Sequence, residues 1–141
     1  MTEHTDFGLL IKQISDEMQK RADNKLRSQN LTMTQAGTLM VLYNAPEKQL
    51  TMKQMEKGLH VAQSTAAGIV SRLEQKGLVE GHSDAGDKRI KLVHITQAGI
   101  DRVLETEKDI AQTEKTLLSR LTETEQEILY SLLKKVNESI K

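Results

Sequence analysis

The sequence predicts a mainly α-helical fold with one small β-hairpin, in the order α-α-α-α-β-β-α-α. Three observations carry this prediction. Apolar residues recur at helical spacing over most of the chain, and Thr-led capping boxes begin two of the helices. The spacing changes to that of strands only across residues 78–95, around a turn rich in Asp and Gly. The 141 residues suit a single domain with its own core, and we predict one domain over 1–141.

Two helices are predicted in the first third of the chain. The first covers about residues 7–27, where Phe, Leu, Ile and Met side chains form one stripe and charges lie on the other side. The second covers 34–45. It ends at Pro46 because proline lacks an amide donor and disfavours helix in the residue before it.

Two shorter helices follow. The third begins at Thr51, where Thr51 and Gln54 form a capping box, and Gly58 breaks it before a turn. The fourth covers about 63–76, and Gly77 stands where a glycine commonly ends a helix.

The hairpin and two long helices complete the chain. Strands are predicted at 78–82 and 90–95, joined by the turn at 84–87. A long helix follows over about 97–120, and a capping box at Thr122 begins the last helix.

Several classes of protein are excluded by composition. The chain has no cysteine, so it has no disulfide, thiolate nucleophile, thiol redox switch or Cys-based metal site. It has no Gly-x-Ser-x-Gly, phosphate-binding loop or His-Glu-x-x-His motif, and we predict that it is not an enzyme. No apolar run approaches the roughly 18 residues of a membrane span, and residues 1–6 lack a signal-peptide stretch. We expect a soluble, cytoplasmic protein without a membrane partner.

The charges balance, since 20 Lys and Arg oppose 20 Asp and Glu, and this sum argues against a nucleic-acid partner. Counted along the chain, residues 34–95 carry eight bases and six acids, and residues 96–141 carry seven bases and nine acids. No acid lies between Glu56 and Glu74, and a second basic cluster lies at 88–91. Because salt screens charges beyond about 8–10 Å, such a local basic surface matters more to a phosphate than the total does.

A short helix, a tight turn, a second helix and a hairpin together make a winged helix-turn-helix, which we place over 34–95. Its helix-turn-helix lies at about 52–75 and its wing at about 78–95. In this motif the second helix enters the major groove of DNA, and its first residues meet base edges. The residues predicted to do so are hydrogen-bonding or small: Gln63, Ser64, Thr65, Ala67 and Gly68. Contacts with phosphates or outer base edges are predicted for Ser71 and Arg72, and contacts with the DNA backbone for Thr51 and Lys53.

The tip of the wing carries an acid beside two bases. We predict that Lys88 enters the narrow minor groove, where the potential is most negative, and that Arg89 is shared between Asp87 and a phosphate. Asp87 would by itself repel phosphate. Its predicted role is therefore to orient a cation, by pairing with a base of the wing or with Arg72.

Plainer interpretations stand beside these predictions. The stretch 63–72 could be an ordinary amphipathic helix with small residues outside, and 84–89 could be a solvated turn. The order and spacing of the two favour a DNA-binding motif. The alternative function is a dimeric winged-helix module that binds another protein and not DNA.

The chain resembles the MarR family of bacterial transcription regulators over nearly its whole length. Four stretches carry the resemblance: 50–55, 63–79, 84–89 and 93–99. The Asp-x-Arg wing of the family matches Asp87 and Arg89. The family's Leu-Thr-x-x-Gly start of the long helix matches Ile95, Thr96 and Gly99, with Ile in place of Leu.

The resemblance implies a homodimer whose dimerisation helices lie at 6–30 and 97–140. Its two recognition helices would enter successive major grooves of a pseudo-palindromic operator, about 34–36 Å apart. Most members of the family are repressors. Many release DNA when a small, often phenolic or lipophilic anion binds between the dimerisation helices and the winged domain. A repressor with a small-molecule effector and no cofactor is the prediction.

Two branches of the family sense peroxides or bind zinc. The absence of cysteine excludes the branch that senses peroxides through a thiol. Another branch binds zinc, and this chain has four histidines: His4, His60, His82 and His94. None pairs with another at i, i+4 on a helix, whereas His82 and His94 could face one another on the predicted strands. Neutral surface or packing histidines are the favoured interpretation, and no metal is predicted.

The effector is not identified by the sequence. Phe7, Tyr43 and Tyr130 are the only aromatic residues, so a stacking pocket for a phenol is thinly supplied. A pocket for an aliphatic ligand is equally compatible with the sequence. Methionines that could line it near the expected crevice are Met18, Met33 and Met40.

Overall fold

The computed structural model describes residues 6–141, so His4 and the polar start of the chain lie outside the described residues. Six α-helices and three strands occur in the part of the chain that is described. In order they are α1 (Phe7–Ser28), α2 (Met33–Tyr43), β1 (Gln49–Thr51), α3 (Met52–Leu59), α4 (Gln63–Gln75), β2 (Val79–Ser83), β3 (Lys91–Ile95), α5 (Gln97–Leu117) and α6 (Glu123–Ser139). A single 3₁₀ turn at Pro46–Lys48 leads into β1.

The predicted fold class is confirmed, with one addition to the sheet. β1 pairs antiparallel with β3, placing Gln49 opposite His94 and Thr51 opposite Leu92, and β2 pairs with the other edge of β3. The wing is therefore a three-stranded sheet in the order β1-β3-β2, where the sequence predicted two strands. A three-residue strand shows no readable alternation, and β1 is extended because β3 offers it a partner.

Within the described residues, capping boxes begin three helices. The predicted boxes at Thr51 and Thr122 are confirmed. A third was not predicted: the Thr32 hydroxyl accepts from the Gln35 amide at 3.1 Å, and the Gln35 side chain accepts from the Thr32 amide at 3.2 Å. α2 therefore begins one residue earlier than predicted. The other boundaries differ from prediction by up to three residues, the largest difference being the end of α5 at Leu117.

One hydrophobic core holds α2, α3, α4 and the sheet together. Its fully buried side chains come from all of these elements: Leu39, Leu42, Met55, Val70, Leu73, Val79 and Val93. Leu26 of α1 and Val103 of α5 join the same core. Each such side chain contributes about 1.5–3 kcal/mol by leaving water. Because one face of α4 is bound to this core, the opposite face of α4 is fixed toward solvent.

A small network connects the end of α4 to the start of α5. Gly77 has a φ of 74°, as predicted for a glycine that ends a helix. The Thr96 hydroxyl donates to the Gly77 carbonyl at 2.8 Å and accepts from the Gly99 amide at 3.1 Å. The Thr96 amide donates to the Leu78 carbonyl at 3.0 Å. Thr96 thus begins α5 and fixes the chain after α4 with one side chain.

Contacts divide the chain into two compact units, and the division falls between Asp109 and Ile110 within α5. The second unit contains the end of α5 and α6. Its turn is held by the Gln126 side chain, which donates to the carbonyls of Leu118 and Leu121 at 3.2 and 3.3 Å. α6 has no buried residue. In the described part of the chain, no helix is long and apolar enough to cross a membrane.

Candidate nucleic-acid interface

The solvent face of α4 consists of polar and small residues. Four of the residues predicted to read bases are exposed on its first turns: Gln63, Ser64, Thr65 and Ala67. The fifth, Gly68, is half-buried. Ser71 and Arg72 are exposed further along the helix. The cap residue before α4 is Ala62, which has no polar side chain, and no side chain caps the first amides of this helix. These amides remain available to an anion such as a phosphate.

The turn between α3 and α4 depends on a left-handed residue. His60 has a φ of 56° and a ψ of 44°, and its amide donates to the Lys57 carbonyl at 3.3 Å. The Val61 amide then donates to the Glu56 carbonyl at 3.1 Å. This arrangement ends α3 within one residue, as a glycine would, and it sets the direction in which α4 leaves the turn.

The tip of the wing is organised by Asp84. One of its carboxylate oxygens accepts from the amides of Gly86 and Asp87 at 3.0 and 3.1 Å. Its own amide donates to the Ile90 carbonyl at 2.9 Å. The sequence identified Asp84 only as a turn residue. The structure shows that it fixes the backbone of the segment that presents the basic side chains.

Asp87 and Arg89 form a bidentate pair at this tip. The Arg89 guanidinium donates to both Asp87 oxygens, at 3.1 and 3.0 Å, and the Arg89 amide donates to the same carboxylate at 3.0 Å. Of the two partners predicted for Asp87, the structure thus shows the wing base and not Arg72, which has no ion pair with a described residue. Lys88 likewise has no ion pair in the described part of the chain. Its charge stays free on an exposed part of the turn.

The pairing also changes how Asp87 titrates. The Arg89 side-chain hydrogen bonds, and then the Arg89 backbone amide, lower the pKa of Asp87 from its ordinary value, while the carboxylate raises the pKa of Arg89. A lowered pKa means that the pairing is present at neutral pH and is lost only as the pH falls through that lowered value.

We expect the Asp87 carboxyl to titrate below the range of an ordinary aspartate when followed by carboxyl-carbon NMR. Arg89→Gln should raise the Asp87 pKa because it removes the guanidinium. Lys88→Gln is the matched control, because it removes a charge from the same turn without touching the pair. A pKa of Asp87 that is the same in the wild type and in Arg89→Gln would contradict the observed pairing.

α3, α4 and the wing together line one groove of about 700 Å³. Six of the residues predicted to contact DNA line it: Thr51, Lys53, Gln63, Ala67, Ser71 and Arg89. The other predicted residues lie outside the groove walls: Ser64, Thr65, Gly68, Arg72, Asp87 and Lys88. The groove brings together residues that are up to 38 positions apart in the chain, from Thr51 to Arg89. Two carboxylates, Glu56 and Glu74, also line it.

Glu74 has a structural role that the sequence did not reveal. It accepts from the Gly81 amide at 3.3 Å, and its other oxygen lies 3.8 Å from the Lys91 ammonium. A Cβ at Gly81 would lie 2.8 Å from the Lys91 side chain, so the glycine allows this close approach. The three residues connect α4 directly to both long strands of the wing. No local pattern marks them, because the partners come from three different elements.

Three features define the winged helix-turn-helix class of transcription regulators. They are a recognition helix with one face in the core, a tight turn before that helix, and a three-stranded wing beside it. The model of the MarR family matches residues 29–90. MepR, a transcription regulator of the Staphylococcus aureus multidrug efflux pump MepA, is 32% identical with a TM-score of 0.86, and the match covers 96% of this chain and 98% of that chain.

Two further solved structures are similar. The S. aureus MepR–DNA complex is 33% identical with a TM-score of 0.67, covering 94% of this chain and 97% of that chain. YusO of Bacillus subtilis shares the fold at 21% identity, with a TM-score of 0.87 and coverage of 96% and 94%. The protein belongs to the MarR family of winged-helix transcription regulators, as its motifs predicted.

Proposed function

We propose that the protein is a homodimeric repressor that binds a pseudo-palindromic DNA operator and releases it when a small organic ligand binds. The observation that carries the proposal is the groove between α3, α4 and the wing, where six of the predicted DNA-contacting residues meet. The related MepR has been solved in complex with DNA, which supports DNA as the partner. The proposal includes no catalytic step, and it places the protein in the cytoplasm with the DNA.

In this proposal α4 enters the major groove with its exposed first turns toward the bases. Gln63 and Thr65 supply hydrogen bonds and a methyl group for base edges, and Ala67 is small enough to allow close approach. Lys88 reaches the minor groove from the wing, and Arg89 contacts a phosphate while Asp87 holds its guanidinium in place.

Dimerisation is supported by the apolar side chains that the single chain leaves in water. α1 exposes a set of large residues, each at least half exposed: Phe7, Leu9, Leu10, Ile11 and Ile14. α6 and its C-cap residue expose a second set: Ile128, Tyr130, Leu132, Leu133, Val136 and Ile140. Exposed apolar surfaces of this extent mark protein–protein interfaces, and a second copy of the chain would cover them.

A cavity of about 450 Å³ is our candidate for the effector site. It lies at the end of α1 and the start of α2, and its lining combines apolar and charged side chains: Asp23, Leu26, Arg27, Asn30, Leu31, Thr32, Met33 and Lys76. Met33 was expected near a crevice and does line the cavity, whereas Met18, Met40 and the three aromatic residues do not. Two cations beside leucine and methionine fit a lipophilic anion better than a stacked phenol.

Lys76 offers a route from this cavity to the DNA-binding helix. It is the C-cap residue of α4, and its ammonium donates to the Asn30 carbonyl and, at 2.8 Å, to the Gln35 side chain. An anion bound to Lys76 would compete with these two oxygens for the ammonium. The link between α4 and the loop before α2 would then weaken, and α4 would lose the support that orients it.

Selection of bound duplexes from random sequence, followed by binding at several salt concentrations, tests the DNA proposal. A dimer with at least six phosphate contacts should lose about a thousandfold or more in affinity between 50 and 200 mM salt. The selected sites should be two-fold symmetric. Failure to bind any duplex at low salt would favour the alternative, a module that binds another protein. Lipophilic anions are then screened for release. Lys76→Met lacks the ammonium that links α4 to the loop before α2, so it should bind the operator more weakly than the wild type without ligand, and added anion should weaken its binding less.

We expect Lys88→Ala to weaken operator binding about tenfold and to lower the salt slope by about one for each wing, because a minor-groove cation is lost from both subunits. Fluorescence anisotropy of a labelled operator across salt concentrations measures both. Lys108→Ala is the matched control, since it removes the same charge from an exposed position on α5. An unchanged slope in Lys88→Ala would show that this residue does not contact DNA.

A further inference from the structure

Two histidines face each other on the wing, away from the groove lining. His82 of β2 and His94 of β3 are diagonal neighbours across the paired strands, because His82 lies opposite Leu92 and Glu80 lies opposite His94. Their Nδ1 atoms are 3.3 Å apart, and their ring centroids are 5.1 Å apart at 60°. His82 is exposed and His94 is half-buried, so solvent and dissolved ions reach the space between the rings.

The separation of the two nitrogens fits a metal ion. Zn²⁺ binds imidazole nitrogen at about 2.0–2.1 Å in tetrahedral geometry, which places two such nitrogens about 3.3–3.4 Å apart. The observed distance of 3.3 Å matches this value, and without an ion the two ring nitrogens share a hydrogen bond at this distance. Small rotations of the exposed His82 ring and the half-buried His94 ring would direct both lone pairs at a common point.

The opposite nitrogen of His94 has the partner that a metal-binding histidine commonly has. Its Nε2 lies 3.5 Å from a carboxylate oxygen of Glu80. Metal-ligating histidines usually donate their second ring N–H to a carboxylate or carbonyl, which fixes the tautomer and leaves the first nitrogen free to ligate. At 3.5 Å the Glu80 carboxylate lies at ion-pair distance, and a shift into hydrogen-bond distance on metal binding would favour the His94 tautomer whose Nδ1 lone pair faces His82.

We propose that His82 and His94 form a two-histidine site for a zinc-like divalent cation, with Glu80 as the positioning residue and water completing the coordination. Among residues 6–141 no group of three or more His, Cys, Asp or Glu side chains is arranged around a metal position, so this is an open site with two protein ligands. The bound ion joins β2 to β3 and stiffens the hairpin whose tip carries Lys88 and Arg89. The sequence-based expectation was different: neutral surface or packing histidines and no metal.

The test uses the full chain without an affinity tag, treated with chelator and titrated with ZnCl₂ against a chromophoric zinc indicator. We expect one saturable site per chain, weakened at least about tenfold in His82→Asn and in His94→Asn. Glu80→Gln should weaken it about tenfold, since outer-shell partners contribute about 10–100-fold to affinity. His60→Asn is the matched control, because asparagine tolerates the left-handed backbone at that position. Its zinc affinity should equal that of the wild type.

Imidazole nitrogen NMR of the wild type gives a readout that requires no variant. Zinc should shift the Nδ1 resonances of His82 and His94 and leave those of His60 in place. Zinc should also raise the thermal midpoint of the wild type but not of His82→Asn, because only a ligand that binds the folded state stabilises it. Zinc affinities that are equal in the wild type, His82→Asn and His94→Asn would overturn the proposal, as would the absence of any Nδ1 shift.

Discussion

We expect Val136→Glu to convert the proposed dimer into a monomer and to abolish tight binding to a two-fold operator. Val136 is 55% exposed on the apolar stripe of α6. In a two-fold dimer each substitution occurs twice, so two carboxylates would be buried without partners. A cost of about 3 kcal/mol or more raises the dimer dissociation constant about 100-fold or more. Sedimentation velocity over a range of protein concentrations measures this change.

The control for this variant is Ser131→Glu, which adds the same charge to the same helix. Ser131 is exposed on the polar side of α6, four positions after Glu127 and therefore on the same face of the helix. A charge at this position should leave dimerisation unaffected. Glutamate is a better helix former than valine or serine, and far-UV circular dichroism should show α6 intact in both variants. A Val136→Glu protein that dimerises like the wild type would show that α6 is outside the interface.

Operator half-sites separate two causes of lost binding. The Val136→Glu monomer retains its winged domain, which folds around a core that contains no residue of α6. It should therefore bind a single half-site as weakly as one subunit of the wild type does. Loss of half-site binding as well would mean that the substitution damages the winged domain and does not act through dimerisation.

Gly99→Ala is expected to destabilise the protein by about 1–2 kcal/mol, the overpacking cost less the gain in helix propensity. A Cβ at residue 99 would lie 2.3 Å from the Leu78 carbonyl oxygen and 2.6 Å from the Ile95 side chain. That carbonyl cannot move freely, since it accepts the Thr96 amide at 3.0 Å. Overpacking of this kind costs about 1–3 kcal/mol or more, which exceeds the gain of up to about 1 kcal/mol from replacing glycine in a helix. Urea unfolding at fixed protein concentration measures the difference.

Gly37→Ala provides the matched control. Gly37 lies inside α2, its φ is not positive, and no heavy atom lies within 4 Å of the point that an alanine methyl would occupy. The same substitution should stabilise the protein here by about 0.5–1 kcal/mol through helix propensity alone. A Gly99→Ala protein as stable as Gly37→Ala would mean that the backbone around Leu78 adapts without cost.

Local features of the chain were predicted well because they depend on neighbouring residues. The capping boxes at Thr51 and Thr122 were identified from residues three positions apart, and the glycine at 77 from its place after a helical stripe. The Asp87–Arg89 pair was one of two alternatives for Asp87, the other being Arg72, and the structure shows the pair with the neighbouring wing residue. The roles of these wing residues toward DNA stay predictions until binding is measured.

Features that join distant segments were missed. β1 has three residues and no pattern of its own, and the contacts of Glu74 with the Gly81 amide and Lys91 join a helix to two strands. From the sequence, a contact between His82 and His94 across the predicted strands was only one alternative. The register of β2 on β3 decides it, because a shift of one residue would place one ring on the opposite face of the sheet.

The sequence by itself determined the helical order, the recognition helix, the wing and the family of this protein. All four follow from the spacing of apolar residues, from helix caps and from short motifs, each of which depends on residues within a few positions of one another. Only the tertiary structure decided how the groove, the cavity beside Lys76 and the histidine pair are assembled. Each of these combines residues from separate elements, and their distances follow from packing around one core and from strand register, which no local pattern encodes.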